Sequence, residues 1–165
     1  GAKTGEFFGL ACRAGAMLGT DDQAEIDIYG SFGYHLGVLV QLGDDLQALW
    51  KPRDRGDVIT AGRTLPVVYA HSVAPSTTRD HLHTLLRSLR DDPGALHQLQ
   101  TMLADLGALH YLMLQAGSQH HLAHEALLSS TRPSVAQHEL SRLLDEAFPA
   151  VARDRWGSLR GLTNN

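Results

Sequence analysis

Gly30, Gly33, Gly37 and Gly43 all fall inside a stretch whose apolar residues otherwise keep helical spacing. Tyr29, Phe32, Leu36, Leu39, Val40 and Leu42 recur mostly at intervals of three and four, which predicts one long helix from Asp22 to about Trp50. A glycine in a helix interior costs about 1 kcal/mol relative to alanine, so four of them in one helix need an offsetting gain. Two arrangements would provide it: close contact with another helix, or room for a ligand along the helix face. The residues alone leave both open.

The rest of the chain reads with the same period. Phe7, Phe8, Leu10, Ala11, Ala14, Met17 and Leu18 give a broad apolar stripe on a helix spanning Gly5 to Leu18. Gly19-Thr20-Asp21 then reads as a helix stop followed by a new cap. Lys51–Gly62 carries five charges, one proline and two glycines, and reads as a loop. Helical patterns resume at Thr64–Val73, Ser76–Arg90, Gly94–Leu106, Ala108–Ser130 and Ser134–Ala147, with Pro75, Pro93 and Pro133 near helix starts, where a missing N–H does no harm. No alternating stretch is long enough for a strand. The expected class is all-α, with six or seven helices and no linker, repeat or low-complexity segment.

Composition excludes several classes of function. With 43% apolar and 19% charged residues, the 165-residue chain is not intrinsically disordered. A formal charge of −4 argues against a nucleic-acid or membrane-surface binder held by net positive charge. The longest stretch free of Asp, Glu, Lys and Arg, Leu106 to His124, holds four histidines, two glutamines and a serine, too polar for a transmembrane span. Cys12 is the only cysteine, so no internal disulfide can form, which fits a reducing, cytoplasmic setting.

The most pointed local feature is Gln41 to Trp50, QLGDDLQALW. Gln41, Asp44, Asp45 and Ala48 share one helical stripe by their spacing. Adjacent carboxylates repel, and they become favourable when a hard divalent cation sits against them; oxygen donors of this kind suit Mg²⁺, which fills its remaining positions with water and substrate phosphate. The plainer alternative is a solvated helix C-terminus, although the helix dipole disfavours anions there. Lys3, Lys51 and Arg63 flank the pair in sequence and, together with a metal, could clamp a diphosphate. His120 and His124 are one turn apart but have no HExxH pattern around them and read as a solvated or interhelical face. Cys12 reads as a core residue.

Three segments occur in a recognisable order: KTGEFFGLACRAGAMLG (Lys3–Gly19), YGSFGYHLGVLVQLGDDL (Tyr29–Leu46) and GDVITAGRTLPVVYA (Gly56–Ala70). Together they resemble the C-terminal half of the polyprenyl synthetase family, the trans-isoprenyl diphosphate synthases. That family carries K-T-x-x-L-F-x-x-A, then F-Q-x-x-D-D-x-x-D at the end of a glycine-rich helix, then G-x-D-L-x-x-G-K-x-T-L-P. The resemblance covers Lys3 to Ala70 and implies an antiparallel helical bundle, with residues 1–165 as one domain forming part of the isoprenoid synthase (class I) fold.

The resemblance also implies roles. Asp44 and Asp45 match the first two aspartates of the second aspartate-rich motif and would bind Mg²⁺. Gln41 would face the reacting carbons, and Lys3 and Thr4 match a pair that touches the allylic diphosphate. Lys51 and Arg63 match further diphosphate-binding cations. The implied activity is Mg²⁺-dependent prenyl transfer from allylic prenyl diphosphates. Ala48 replaces the third aspartate, and no counterpart of the N-terminal half occurs; Asp91-Asp92-Pro93 looks like a helix cap. The other metal motif would come from a missing N-terminal part or a separate subunit, and a half-bundle is expected to expose an apolar face and to associate. The alternatives are a non-catalytic subunit that binds and regulates an active partner, or a prenyltransferase for a different acceptor. In the metal-free protein, removing either aspartate is expected to be neutral or slightly stabilising, because it relieves repulsion at a helix C-terminus.

Overall fold

The structure, a computed structural model, describes residues 2–50, 52, 61–131 and 135–148. These form seven α-helices: α1 (Ala2–Met17), α2 (Gln23–Trp50), α3 (Leu65–Val73), α4 (Ser76–Ser88), α5 (Ala95–Asp105), α6 (Ala108–Leu128) and α7 (Val135–Ala147). A single 3₁₀ turn, Ala61–Arg63, precedes α3, and no strand occurs among the described residues. The all-α expectation holds, with helix ends within a few residues of those read from the sequence. Most of the Lys51–Gly62 loop lies outside the described residues.

The chain divides into two compact units, residues 1–43 with 115–165, and residues 44–114. The division cuts through α2 after Gly43 and through α6 after Leu114.

In the first unit, α1 lies antiparallel on α2. Their backbones approach so closely that a Cβ on Gly33 would stand 2.5 Å from the Phe8 carbonyl oxygen and 2.7 Å from Cys12 Sγ. A Cβ on Gly37 would stand 2.7 Å from the Thr4 carbonyl oxygen, and one on Gly30 would run into the Arg13 side chain. Helix–helix contact therefore accounts for Gly30, Gly33 and Gly37, while Gly43 has nothing within 4 Å. The inward face of α1 is made of its small residues, Gly5 and Gly9, with Phe8 and Cys12 half-buried beside them. The broad apolar stripe points outward: Phe7, Leu10, Met17 and Leu18 are 63% to 92% exposed. On α2, Phe32 and Leu39 are fully buried, and each such side chain stabilises by about 2 kcal/mol relative to exposure.

Hydrogen bonds tie the remaining helices of this unit in antiparallel pairs. His35 Nδ1 lies 2.8 Å from Gln119 Oε1, between α2 and α6. Gln137 Nε2 donates to the Leu127 carbonyl at 2.6 Å, and His120 Nε2 lies 3.0 Å from Asp145 Oδ1, both between α6 and α7. Asp22 caps α2, its Oδ1 accepting the Ala24 N–H at 3.0 Å. Glu25, three residues later, stands where a capping box would use it, yet its carboxylate turns inward. It is 3% exposed and accepts from the Ser130 hydroxyl and from both the N–H and the hydroxyl of Thr131, just past α6.

The second unit is centred on Leu49, Val67, Leu82, Leu85, Leu99 and Leu103. Gln100 Nε2 donates to the Leu49 carbonyl at 2.7 Å, and the Tyr69 and Tyr111 rings stack at 4.3 Å. Asp92 Oδ1 accepts the Gly94 N–H at 2.7 Å, making a turn ahead of α5; the cap position itself is Gly94. Gly107, at φ 76°, ends the α5 segment in the left-handed region that glycine reaches without strain.

The glycine contacts make a paired prediction. Gly43→Ala should stabilise the fold by about 0.5–1 kcal/mol through helix propensity. Gly33→Ala should destabilise it by about 1–3 kcal/mol, because a methyl there must push the α1 backbone away. Denaturant midpoints at unchanged slope would show the opposite signs.

Candidate functional site

In the first unit, two residues singled out by the sequence meet. Thr4 Oγ1 donates to Gln41 Oε1 at 3.0 Å across 37 residues of sequence. Both side chains are half-buried, and the contact exists because Gly5 and Gly37 bring α1 against α2 at this level. Accepting through Oε1 turns the donor end of the Gln41 amide away from Thr4. Lys3 is exposed, and as a neighbour on the same helix it projects about 100° from Thr4.

In the second unit, Asp44 is exposed and Asp45 half-buried. Asp45 Oδ2 accepts the Leu65 backbone N–H at 2.7 Å, although the two are 20 residues apart. Leu65 opens α3, and the residue in its cap position, Thr64, makes no capping bond with its side chain. The Thr64 hydroxyl instead donates backwards to the Ala61 carbonyl at 2.6 Å. Pro66 has no N–H to satisfy. Asp45 is therefore the side chain that caps α3, with its charge at the favourable end of that helix dipole. Nothing in the spacing of QLGDDL pointed to this, and a threonine just before Leu-Pro suggests that the helix caps itself.

Arg63 is exposed in the 3₁₀ turn that leads into Thr64 and α3. Ala48, where the family motif has an aspartate, is half-buried one turn beyond Asp44 and brings no oxygen. Lys51 lies outside the described residues.

Asp44 and Asp45 offer hard oxygen donors on consecutive positions, and no group of three or more His, Cys, Asp or Glu gathers as a metal site among the described residues. Two carboxylates suit a cation that keeps most of its water and completes its shell with substrate phosphate, as Mg²⁺ does. Of the three clustered histidines, His120 pairs with Asp145 and packs on Phe148 at 4.9 Å, while His121 and His124 are exposed. Cys12 lies against Gly33, and burial pushes its thiol pKa up, which fits a packing residue rather than a nucleophile.

The cap revises one expectation. Asp44→Ala should leave the stability of the metal-free protein within about 0.5 kcal/mol. Asp45→Ala should lower it by about 1 kcal/mol, because losing the cap outweighs the repulsion relieved. Melting both variants without Mg²⁺ would separate them.

No protein-family model and no curated protein matches the chain. Solved structures do. A polyprenyl synthetase from Streptomyces coelicolor A3(2) is 26% identical, with a TM-score of 0.73 over 88% of this chain and 46% of its own. The geranylgeranyl pyrophosphate synthetase from Pyrococcus horikoshii Ot3 is 22% identical, with a TM-score of 0.78 over 88% and 46%. A polyprenyl synthase from Roseobacter denitrificans is 20% identical, with a TM-score of 0.75 over 86% and 47%. The chain thus spans just under half the length of the proteins it matches. It has the fold of the polyprenyl synthetases and corresponds to about half of one, consistent with the C-terminal half that its motifs resemble.

Proposed function

We propose that this chain takes part in Mg²⁺-dependent prenyl transfer from allylic prenyl diphosphates, supplying the second aspartate-rich motif of an isoprenyl diphosphate synthase-like transferase. The observation that carries the reading is the Thr4–Gln41 hydrogen bond, which joins residues from two separate family motifs on neighbouring helices. Such a pair can orient an amide beside an allylic group, where Oε1, which has a second lone pair beyond the one that accepts from Thr4, is the part of the amide suited to developing positive charge.

In this reading Asp44 and Asp45 hold Mg²⁺, which supplies the positive charge that the departing diphosphate needs. Lys3, Lys51 and Arg63 hold diphosphate oxygens by charge-assisted hydrogen bonds. Thr4 fixes the Gln41 amide. The remaining metal ligands and the acceptor subsite come from residues outside this sequence, on a separate subunit or on the same polypeptide, and the setting is cytoplasmic.

The exposed stripe on α1 supports a partner. Phe7, Leu10 and Met17 are large apolar side chains left exposed at helical spacing, with the exposed charges of Lys3, Glu6 and Arg13 among and beside them. The alternative of a non-catalytic, regulatory subunit also has an observation in its favour: Ala48 removes one carboxylate, and Asp45 already serves α3.

Two measurements test these readings. Light scattering should show association, with itself or with a polypeptide carrying the other motif; a stable monomer under both conditions at micromolar concentration contradicts the partner. In the completed assembly, Asp44→Ala should lower prenyl transfer by about 10²–10³, the usual loss for one electrostatic element of a transition-state site. Full activity in that variant would favour the regulatory subunit.

A further inference from the structure

We infer that Asp45 is a positioning residue: it anchors the segment from Arg63 to Pro66 on the end of α2 and so fixes where the Arg63 guanidinium starts from, with or without a metal. The segment is short and held at both ends. On one side, Ala61 is fully buried, and its carbonyl accepts the Thr64 N–H at 3.1 Å and the Thr64 hydroxyl at 2.6 Å. On the other, the Leu65 N–H is bound to Asp45 Oδ2 at 2.7 Å. Arg63 lies between these points with its side chain exposed.

Removing the Asp45 oxygen leaves the Leu65 end of the segment without its side-chain bond to α2. Pro66 has no N–H with which to replace it. The anchor stands on this geometry alone. The purpose given to Arg63, holding a diphosphate, rests on the prenyl-diphosphate reading.

The two halves of the inference can be tested apart. In the full chain without Mg²⁺ or other ligand, amide exchange of Leu65 should be about tenfold faster in Asp45→Ala than in the parent, as expected for one lost hydrogen bond. Asp45→Asn keeps an oxygen that can accept the same N–H and should stay close to the parent, and Asp44→Ala should leave Leu65 unchanged. If Asp45→Ala does not fold, Leu65→Pro removes the donor at a first-turn position where proline is tolerated, and the Val67 and Val68 amides should then exchange faster. Parent-like exchange in Asp45→Ala, or in Leu65→Pro where that is the variant used, overturns the anchor.

Binding of inorganic diphosphate in Mg²⁺-free buffer tests the link to Arg63. Deleting a negative charge would by itself tighten an anion's binding. A Kd about three- to tenfold weaker in Asp45→Ala, with Asp45→Asn, which deletes the same charge but keeps the oxygen, binding as tightly as the parent or more tightly, therefore marks lost positioning. Unchanged or tighter binding in Asp45→Ala overturns the link. If the parent binds no diphosphate in this buffer, the link to Arg63 is overturned, while the exchange rates still decide the anchor and prenyl transfer by the completed assembly decides the prenyl-diphosphate reading.

Discussion

The candidate site depends on how closely the α1 and α2 backbones can approach. Thr4 reaches Gln41 because Gly5 on one helix and Gly37 on the other carry no side chain at the crossing. A Cβ on Gly37 would sit within 3.0 Å of the Gly5 Cα as well as against the Thr4 carbonyl. The loss of helix propensity at these glycines is exchanged for backbone-to-backbone van der Waals contact and for a polar pair that larger residues would hold apart. Packing and placement of the polar groups are thus one constraint.

The periodicity of α2 was legible because Phe32, Leu36, Leu39 and Leu42 recur at helical spacing and are all buried. The glycines signalled that something unusual lay on that helix, and the structure resolves three of them as contact with α1. The outward turn of the α1 stripe was harder to read. Both faces of α1 are poor in charge, so pattern alone could not tell which one meets α2; the steric demand of Gly30, Gly33 and Gly37 decides, selecting the small face. At the site, the residue types were readable through the resemblance, whereas the Thr4–Gln41 bond was not, because it depends on which turn of α1 lies beside Gln41. The bond from Asp45 to Leu65 was not either, because it depends on where the chain returns after residues 51–60, whose sequence carries no directional signal.

That bond also explains how the Asp44–Asp45 pair is tolerated. An anion near the C-terminal end of α2 faces the unfavourable end of a helix dipole, and its neighbour adds repulsion. Asp45 is offset by the N-terminal end of α3, whose N–H groups favour negative charge, while Asp44 stays in water. The pair is thus asymmetric: one carboxylate is built into the fold, and the other is left exposed.

The inward-turned carboxylate of Glu25 has a consequence for alignment. In the first unit α6 buries Ala116, Ala123 and Leu127 and meets α2 where His35 contacts Gln119 at 2.8 Å, a contact that a shift along the axis would break. The three hydrogen bonds from Ser130 and Thr131 to Glu25 would not survive one. Sliding α6 by a single residue rotates its side chains by about 100° and strands a buried charge without these donors, at a cost of several kcal/mol. The register of α6 on α2 is thus held by polar contacts at two levels, one of them joining residues more than a hundred apart in sequence.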